Sequence, residues 1–231
     1  MKTCAIIIPA YNCHEYILDC VKSVMSQKKI ENIQYGMRIG IDGCQKTSDI
    51  LRKNNIPFYY SKQNVGAYVM RNSLMYLRPA DYYIYFDADD IMNHDFIFQC
   101  IQKIDNGCEI VMPAKIECDK NMNKKNNRAI VQDGGAMCFT NKVLESLGGF
   151  CSARCASDTD FMRRAEMAGY QICKIDHALY KRRRHEKSLT KSGMTAFGGK
   201  YRKEVWKKMT EERERGIVKI VPQRIELYFT N

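Results

Sequence analysis

Three carboxylates crowd into four residues at Asp87, Asp89 and Asp90, directly after the apolar run Tyr82 to Phe86. Like charges this close repel, and burying any of them is costly unless a cation sits among them. Carboxylate oxygens suit a hard dication, Mg²⁺ or Mn²⁺, and an ion held by so few protein ligands keeps open positions for a diphosphate. The competing reading is a turn in which Asp90 is the N-cap of the following helix. That reading leaves Asp87 and Asp89 unexplained, because no basic residue neighbours them in the chain.

Other stretches could work with such a cluster. In "NVGAYVMRN", Asn64 and Gly66 begin a helix, a place that favours phosphate, and Arg71 offers a bidentate fork to phosphate or base. An arginine on a solvated helix face is the bland alternative. In "SDTDFMRR", Asp158 and Asp160 sit in a helix's first turn, where Ser157 or Asp158 would cap it or one carboxylate would be a general base for a hydroxyl. In "KRRRHEKSLT", His185 stands among Lys181, Arg182, Arg183, Arg184 and Lys187, a setting that fits a metal-bound pyrophosphate or, more plainly, a charged edge or RNA contact.

These residues need elements to bring them together. "TCAIII" reads as a buried strand, and "CHEYILDCVKSVMSQ" carries apolar residues at helical spacing with Asn12 as its cap. Strands follow at 35–41, 56–61 and 82–86, with helices at 46–54 and 65–77 between them. Such alternation predicts right-handed βαβ units and a mostly parallel sheet. Ligands of such sheets lie beyond the carboxyl ends of the strands, where Tyr11, Asn12, Asp42 and Asp87 to Asp90 fall. Beyond residue 91 the pattern predicts a helix near 93–104, a strand near 108–116 and a polar loop at 118–128. A short strand and a helix stopped by Gly148-Gly149 come next, then a helix over 157–170 and strand candidates at "QICKI" and "ALYKRRR". The tail holds a charged helix, "KYRKEVWKKMTEERERG", and a final apolar segment, "IVKIV".

Lys and Arg total 37 against 26 Asp and Glu, a net charge of +11 in 231 residues. So basic a chain usually meets polyanions, anionic lipid or phosphorylated small molecules. No apolar run reaches the ~18 residues of a membrane span. The N-terminal "MKTCAIIIPAYN" is too short and too interrupted for a signal peptide. Eleven cysteines, scattered through element-like segments, fit buried reduced thiols in a cytoplasmic, reducing compartment. Cys151 and Cys155 lack the partner pair or histidine of a zinc site.

The order of these segments resembles the inverting glycosyltransferases of family 2. "IIIPAYNCHEYILDCVKSVMSQ" is similar to their opening strand and helix, "IGIDG" to their aspartate-glycine turn, and "NVGAYVMRN" to their N-x-G-x-x-x-x-R-N segment. "YFDADD" resembles their D-x-D motif. "GGF" followed by "SDTDFMRR" resembles their glycine pair and E-D-x-D-x-x-x-R motif, and "RRRHEKSLT" their late histidine segment. The likeness runs from residue 3 to about 190. It implies an α/β GT-A fold, the fold of nucleotide-diphospho-sugar transferases, with a Rossmann-like, mostly parallel sheet flanked by helices. A catalytic domain over 1–195 would divide into a nucleotide-binding half (1–90) and an acceptor half (91–195), with 196–231 a helical extension serving as lid, dimer contact or membrane-surface helix.

The resemblance also implies roles. Pro9, Ala10, Tyr11, Asp42, Asn64, Gly66, Arg71, Asp87, Ala88 and Asp90 would bind the nucleotide sugar, with Asp42 on the base and Asp87 on the ribose. Asp89 and His185 would hold Mn²⁺ or Mg²⁺, and Asp158 would be the catalytic base. The partners implied are a nucleotide-diphosphate sugar, UDP-linked by preference, and a glycan, protein or small-molecule acceptor, with no nucleic acid and no transmembrane segment. The chain departs from the pattern at Ile41, where an aspartate is common, and at Ser157, where glutamate is usual. No Q-x-x-R-W follows, which points to addition of one sugar or a few. Two rivals make other demands. A nucleotidyltransferase wants a glycine-rich basic loop after strand one, where this chain has "PAYNCHEY". A noncatalytic RNA-binding protein has no use for Asp87, Asp89 and Asp158.

Overall fold

The computed structural model describes residues 1–131, 135–186 and 193–230, so Lys187 to Thr190 of the basic run lie outside the described residues. The alternating first part forms β1 (Lys2–Ala10), α1 (Ile17–Met25), β2 (Ile33–Asp42), α2 (Gln45–Lys53), β3 (Phe58–Ser61), α3 (Ala67–Met75) and β4 (Tyr82–Tyr85). β1 pairs in parallel with both β2 and β4, and β2 in parallel with β3. Period-two alternation sends the two faces of β1 into different cores. Cys4, Ile6 and Ile8 pack with Ile17, Val21, Leu51 and Phe96 on one side of the sheet. Ala5 and Ile7 pack with Met70, Leu74, Leu144 and Phe161 on the other. Gly40 lets α3 lie close: a Cβ there would stand 2.5 Å from Met70 Sδ.

The second part adds β5 (Ile91–Met92), α4 (Phe96–Asp105), β6 (Ile110–Cys118), β7 (Met137–Thr140), α5 (Asn141–Leu147), α6 (Ser157–Met167) and β8 (Ile172–Arg183). The completed sheet has nine strands in the order β5-β8-β6-β7-β4-β1-β2-β3-β9. The parallel block expected from the alternation is β3-β2-β1-β4, and antiparallel β7 joins it to the rest. "QICKI" and "ALYKRRR" are one strand, irregular in register where it passes Ala114 of β6.

The tail is more than a helix. α7 (Lys200–Glu214) leads into an extended stretch, and β9 (Tyr228–Thr230) pairs antiparallel with β3 at the sheet's edge. On the way the Ile220 N–H donates to Leu147 O, and a Cβ on Gly148 would sit 1.9 Å from Ile220 O. Gly148 ends α5 in the left-handed conformation, as the glycine pair suggests.

Several local expectations are corrected. Asn12 does not cap α1, which begins at Ile17; it turns with φ 51° and its Oδ1 accepts from Cys44 Sγ at 3.2 Å. Asp90 does not cap α4, whose flanking residue is Asp95; its carboxylate is turned inward. Neither Ser157 nor Asp158 is the cap of α6: Ala156 holds that position, in the left-handed region at φ 66°. The cysteines are not all reduced. Cys108 and Cys173, 65 residues apart, form a disulfide between the entries to β6 and β8, so the expectation of a reducing compartment is not supported. The other nine are free, and all but Cys151 are buried. Among the described residues no helix is long and apolar enough to cross a membrane.

Candidate active site

The carboxyl ends of β1, β2 and β4 open on a cleft of about 1010 Å³. Every residue given a role by the family resemblance lines it: Pro9, Ala10, Tyr11, Asp42, Asn64, Gly66, Arg71, Asp87, Ala88, Asp89, Asp90, Asp158 and His185. Convergence follows from topology, because parallel strands deliver their C-terminal loops to one edge.

The acidic cluster is compact. One carboxylate oxygen each from Asp87, Asp89 and Asp90 can be chosen so that all lie within 4.8 Å of one another. Their surroundings differ. Asp87 pairs with Arg71, whose guanidinium is buried against the rings of Tyr85, at 4.3 Å, and Tyr68, at 5.0 Å. Asp89 Oδ2 lies 2.8 Å from His185 Nε2, and the His185 ring packs on Tyr16. Asp90 is buried and accepts from the Arg183 N–H at 2.9 Å. Burial first, then the charges of Asp89 and Asp87, push its pKa well above the ordinary range. A dication would relieve that repulsion, and three carboxylates with an imidazole form a donor set that fits Mg²⁺ or Mn²⁺.

The basic run is divided by the fold. Arg183 is buried and serves as a tie: its Nε donates to Asp89 O and its Nη2 to Asp19 Oδ2, both at 2.9 Å. Arg182 lines the cleft with a carboxylate oxygen of Glu117 3.8 Å away, and Arg184 turns to the same Glu117 at 3.0 Å. Asp42 organises the loop before α3. Its two oxygens accept from the Val65 N–H at 2.6 Å, the Gly66 N–H at 2.9 Å and Asn64 Nδ2 at 3.1 Å. Burial raises its pKa against the pull of those N–H groups and of Arg154.

Of the two carboxylates in the first turn of α6, only Asp158 faces the cleft. Its Oδ1 accepts from the Thr159 N–H at 2.8 Å. Burial, reinforced by the Asp158 charge, pushes the Tyr68 hydroxyl pKa well up. Asp160 is buried between Arg164, 2.8 Å away, and Arg213 of α7, and Cys151 Sγ also donates to it. Arg164 then donates to the carbonyls of Leu147, Gly149 and Val218, tying the glycine turn and the tail to α6.

Sequence reasoning missed part of the lining. Cys13, Tyr68, Arg154, Thr159, Met194, Phe197 and Arg202 all face the cleft. Tyr68 stands within a segment already singled out, three residues before Arg71. Arg154 and Phe197 come from connecting segments with no periodicity to mark them, and Arg202 from the first turn of α7, one of many basic residues on that charged helix.

The glycosyl transferase family 2 profile matches residues 5–168, more than half of the chain. The chain belongs to that family. It is 32% identical over 98 residues to TuaG of Bacillus subtilis (strain 168), a glycosyltransferase assigned to teichuronic acid biosynthesis, covering 39% of this chain and 37% of that one. Solved structures share its GT-A fold. TarS of S. aureus (residues 1–349, with UDP-GlcNAc) superposes with a TM-score of 0.67 at 18% identity, over 84% of this chain and 61% of that one. The mannosyltransferase PcManGT of Pyrobaculum calidifontis, in complex with GDP-Man and Mn²⁺, gives 0.64 at 14% identity, over 78% and 56%. This family 2 chain therefore spans just over a third of the curated relative and under two thirds of these structures.

Proposed function

We propose that the protein is a metal-dependent, inverting glycosyltransferase that moves one sugar per encounter from a nucleotide-diphosphate sugar to a hydroxyl acceptor. The observation that carries this reading is the single cleft that holds both the Asp87–Asp89–Asp90 cluster with His185 and, apart from it, the half-buried Asp158. UDP is the favoured nucleotide, by the TarS complex with UDP-GlcNAc; the PcManGT complex with GDP-Man keeps guanine as the second choice.

The nucleotide would lie across the ends of β1 and β2, its base beside Ala10 and Tyr11. Asp42 supports that pocket chiefly by fixing the 64–66 loop, and Arg71 supports the ribose contact by holding Asp87 in place. Asp89 and His185, with Asp87 and Asp90 adjoining, would hold Mn²⁺ or Mg²⁺. When bound, that ion would neutralise the diphosphate and stabilise it as a leaving group. Asp158 takes the proton from the acceptor hydroxyl. The freed oxygen pair bonds to the anomeric carbon as the bond to the diphosphate breaks, and the diphosphate leaves with the electrons. The acceptor enters opposite the leaving group, so configuration inverts in one displacement. Asp160, sequestered by two arginines, is not placed to act as a second carboxylate, which favours direct displacement over a covalent intermediate.

The test is hydrolysis and transfer across a panel of sugar nucleotides with Mn²⁺. We expect turnover of a UDP- or GDP-sugar, and loss of transfer with retained donor binding in Asp158→Asn. Near-normal turnover by that variant would remove the assigned base. Formation of a sugar nucleotide from a sugar phosphate and UTP would favour the nucleotidyltransferase reading instead.

A further inference from the structure

Glycosyl transfer to an unspecified hydroxyl leaves one wall of the cleft without a role. That wall is built from the loop before α6 and from residues 194–202, and it contributes Arg154, Phe197 and Arg202. Three of the arginines lining the cleft have a carboxylate within ion-pair reach: Arg71 has Asp87, Arg182 has Glu117 and Arg183 has Asp19. Arg154 and Arg202 have none among the described residues. Arg154 donates to the side-chain and backbone oxygens of Asn64, and Arg202 points both Nε and Nη2 at the Thr195 carbonyl. The hydrogen bonds that these two guanidinium groups donate thus go to neutral oxygens, with Asp42 acting on Arg154 from beyond ion-pair distance, in a cleft shaped to receive a ligand.

The same wall is apolar where it faces out. Phe197 is 61% exposed and lies with the Arg202 guanidinium 4.7 Å from its ring centre. An exposed ring is a platform for the C–H face of a sugar, and this ring is already held by the cation over it. The Arg154 N–H donates to Tyr201 Oη at 3.3 Å, joining the two parts of the wall. Cys155, the next residue, places the wall beside the base. Burial raises its pKa, Arg202 draws it down and Asp158 pushes it up, so both charges act at that point. Asp90, in the acidic cluster, is stabilised instead by the Arg183 N–H and by Arg182.

We propose that Arg202, with Arg154 and Phe197, forms an acceptor subsite next to Asp158 that selects a saccharide carrying an oxyanion, carboxylate or phosphate, near its attacking hydroxyl. The inference rests on the glycosyl-transfer reading. The guanidinium forks bind the oxyanion, the Phe197 ring takes the sugar face, and the hydroxyl is left at Asp158. The net charge of +11 favours encounter with such an acceptor.

The experiment uses the full chain, Mn²⁺ and whichever sugar nucleotide it hydrolyses, with three matched acceptor probes: methyl glucoside, methyl glucuronide and glucose 6-phosphate. Transfer to the probes, and their effect on donor hydrolysis, are both measured. We expect the two anionic probes to bind or be glycosylated in preference to the neutral one, and their ranking separates carboxylate from phosphate. Arg202→Gln should raise the anionic acceptor's KM about 10- to 100-fold, the worth of a charge-assisted hydrogen bond, with a much smaller change in donor KM. Arg202→Lys should recover part of the loss, and Phe197→Ala should weaken all three probes. Equal use of neutral and anionic probes, or no binding of either anion by an enzyme that turns over donor, overturns the inference. So does a rise confined to donor KM in Arg202→Gln, which would assign the arginine to the donor diphosphate. Failure to bind or hydrolyse any sugar nucleotide would strike the underlying reading instead.

Discussion

Asp158 and Asp160 differ by two positions in one helical turn, and exchanging each carboxylate for an amide should have opposite consequences. Asp160 is 1% exposed; it pairs with Arg164 at 2.8 Å and with Arg213, and receives the Cys151 thiol. Asp160→Asn leaves two guanidinium groups without a counter-charge, and the Arg164 side chain is only 2% exposed. Breaking a buried pair from one side costs about 3–5 kcal/mol, and the low end applies because asparagine keeps one acceptor oxygen. For a chain of this size about 3 kcal/mol lowers Tm by roughly 6–12 °C. Arg164 also holds the carbonyls of Leu147, Gly149 and Val218, so the tail should loosen first. Asp158 is half-buried, accepts from the Thr159 N–H and has the Tyr68 hydroxyl beside it, both of which an asparagine oxygen can still meet, so Asp158→Asn should move stability by less than about 1 kcal/mol while transfer falls by about 10²–10⁴-fold. Urea and thermal unfolding of both variants, alongside turnover, measure the pair. An Asp160→Asn protein as stable as the parent, or an Asp158→Asn protein that unfolds early, would refute the division of labour read from the packing.

Other outcomes follow from the same geometry. Gly148→Ala should destabilise the tail's attachment by more than about 2 kcal/mol, since φ is +75° and the Cβ would meet Ile220 O; limited proteolysis of the 215–227 stretch would report it. Reducing Cys108–Cys173 opens a loop of 65 residues and should lower stability by about 4 kcal/mol on chain-entropy grounds, read from denaturant midpoints with and without dithiothreitol. Cys44 should be alkylated before the other free cysteines: burial raises its pKa, but the hydroxyl of Thr47 and nearby N–H groups outweigh that and lower it. Because Asn12 touches Cys44 and lines the cleft, UDP with Mn²⁺ should slow that alkylation.

A last prediction concerns pH. Burial, helped by Arg182, lowers the Lys115 pKa from 10.5 to about 8, against the pull of Asp90 and Glu117 and with Arg184 also nearby. The unfolded chain then holds a proton that the folded one has lost between about pH 8 and 10.5, so this group's contribution to stability rises with pH across that window. Lys115→Met should flatten the rise, seen in unfolding free energies at pH 7.5 and 9.5; an unchanged slope would contradict a buried, depressed lysine.

Much of the first half was legible because its signals are local. Ile6, Ile7 and Ile8 form a continuous apolar run, as a strand buried on both faces must, and the polar residues that close each strand end up at one edge by topology alone. What escaped reading depends on distant partners. β9 is three residues long and is a strand only because β3 offers an edge. β5 has two residues and needs β8. The Cys108–Cys173 pair was invisible because β6 and β8 become neighbours only after some sixty residues intervene. Caps failed at Asn12 and Asp90 because each side chain is committed to a tertiary contact that outweighs the helix's first N–H groups, and at Ser157 because the left-handed turn at Ala156 already places Ser157 inside the helix. Arg154 and Arg202 carried no motif, and only folding brings them into one cleft with Asp158.

On the proposed function, the acidic cluster tolerates its own repulsion by taking up a dication together with a sugar-bearing diphosphate. Titration calorimetry of UDP into the protein, with and without Mn²⁺, tests it most directly. Binding should depend on Mn²⁺ and be lost in Asp89→Ala while the fold persists. Equal UDP affinity without metal, or undiminished Mn²⁺-dependent binding by Asp89→Ala, would contradict it.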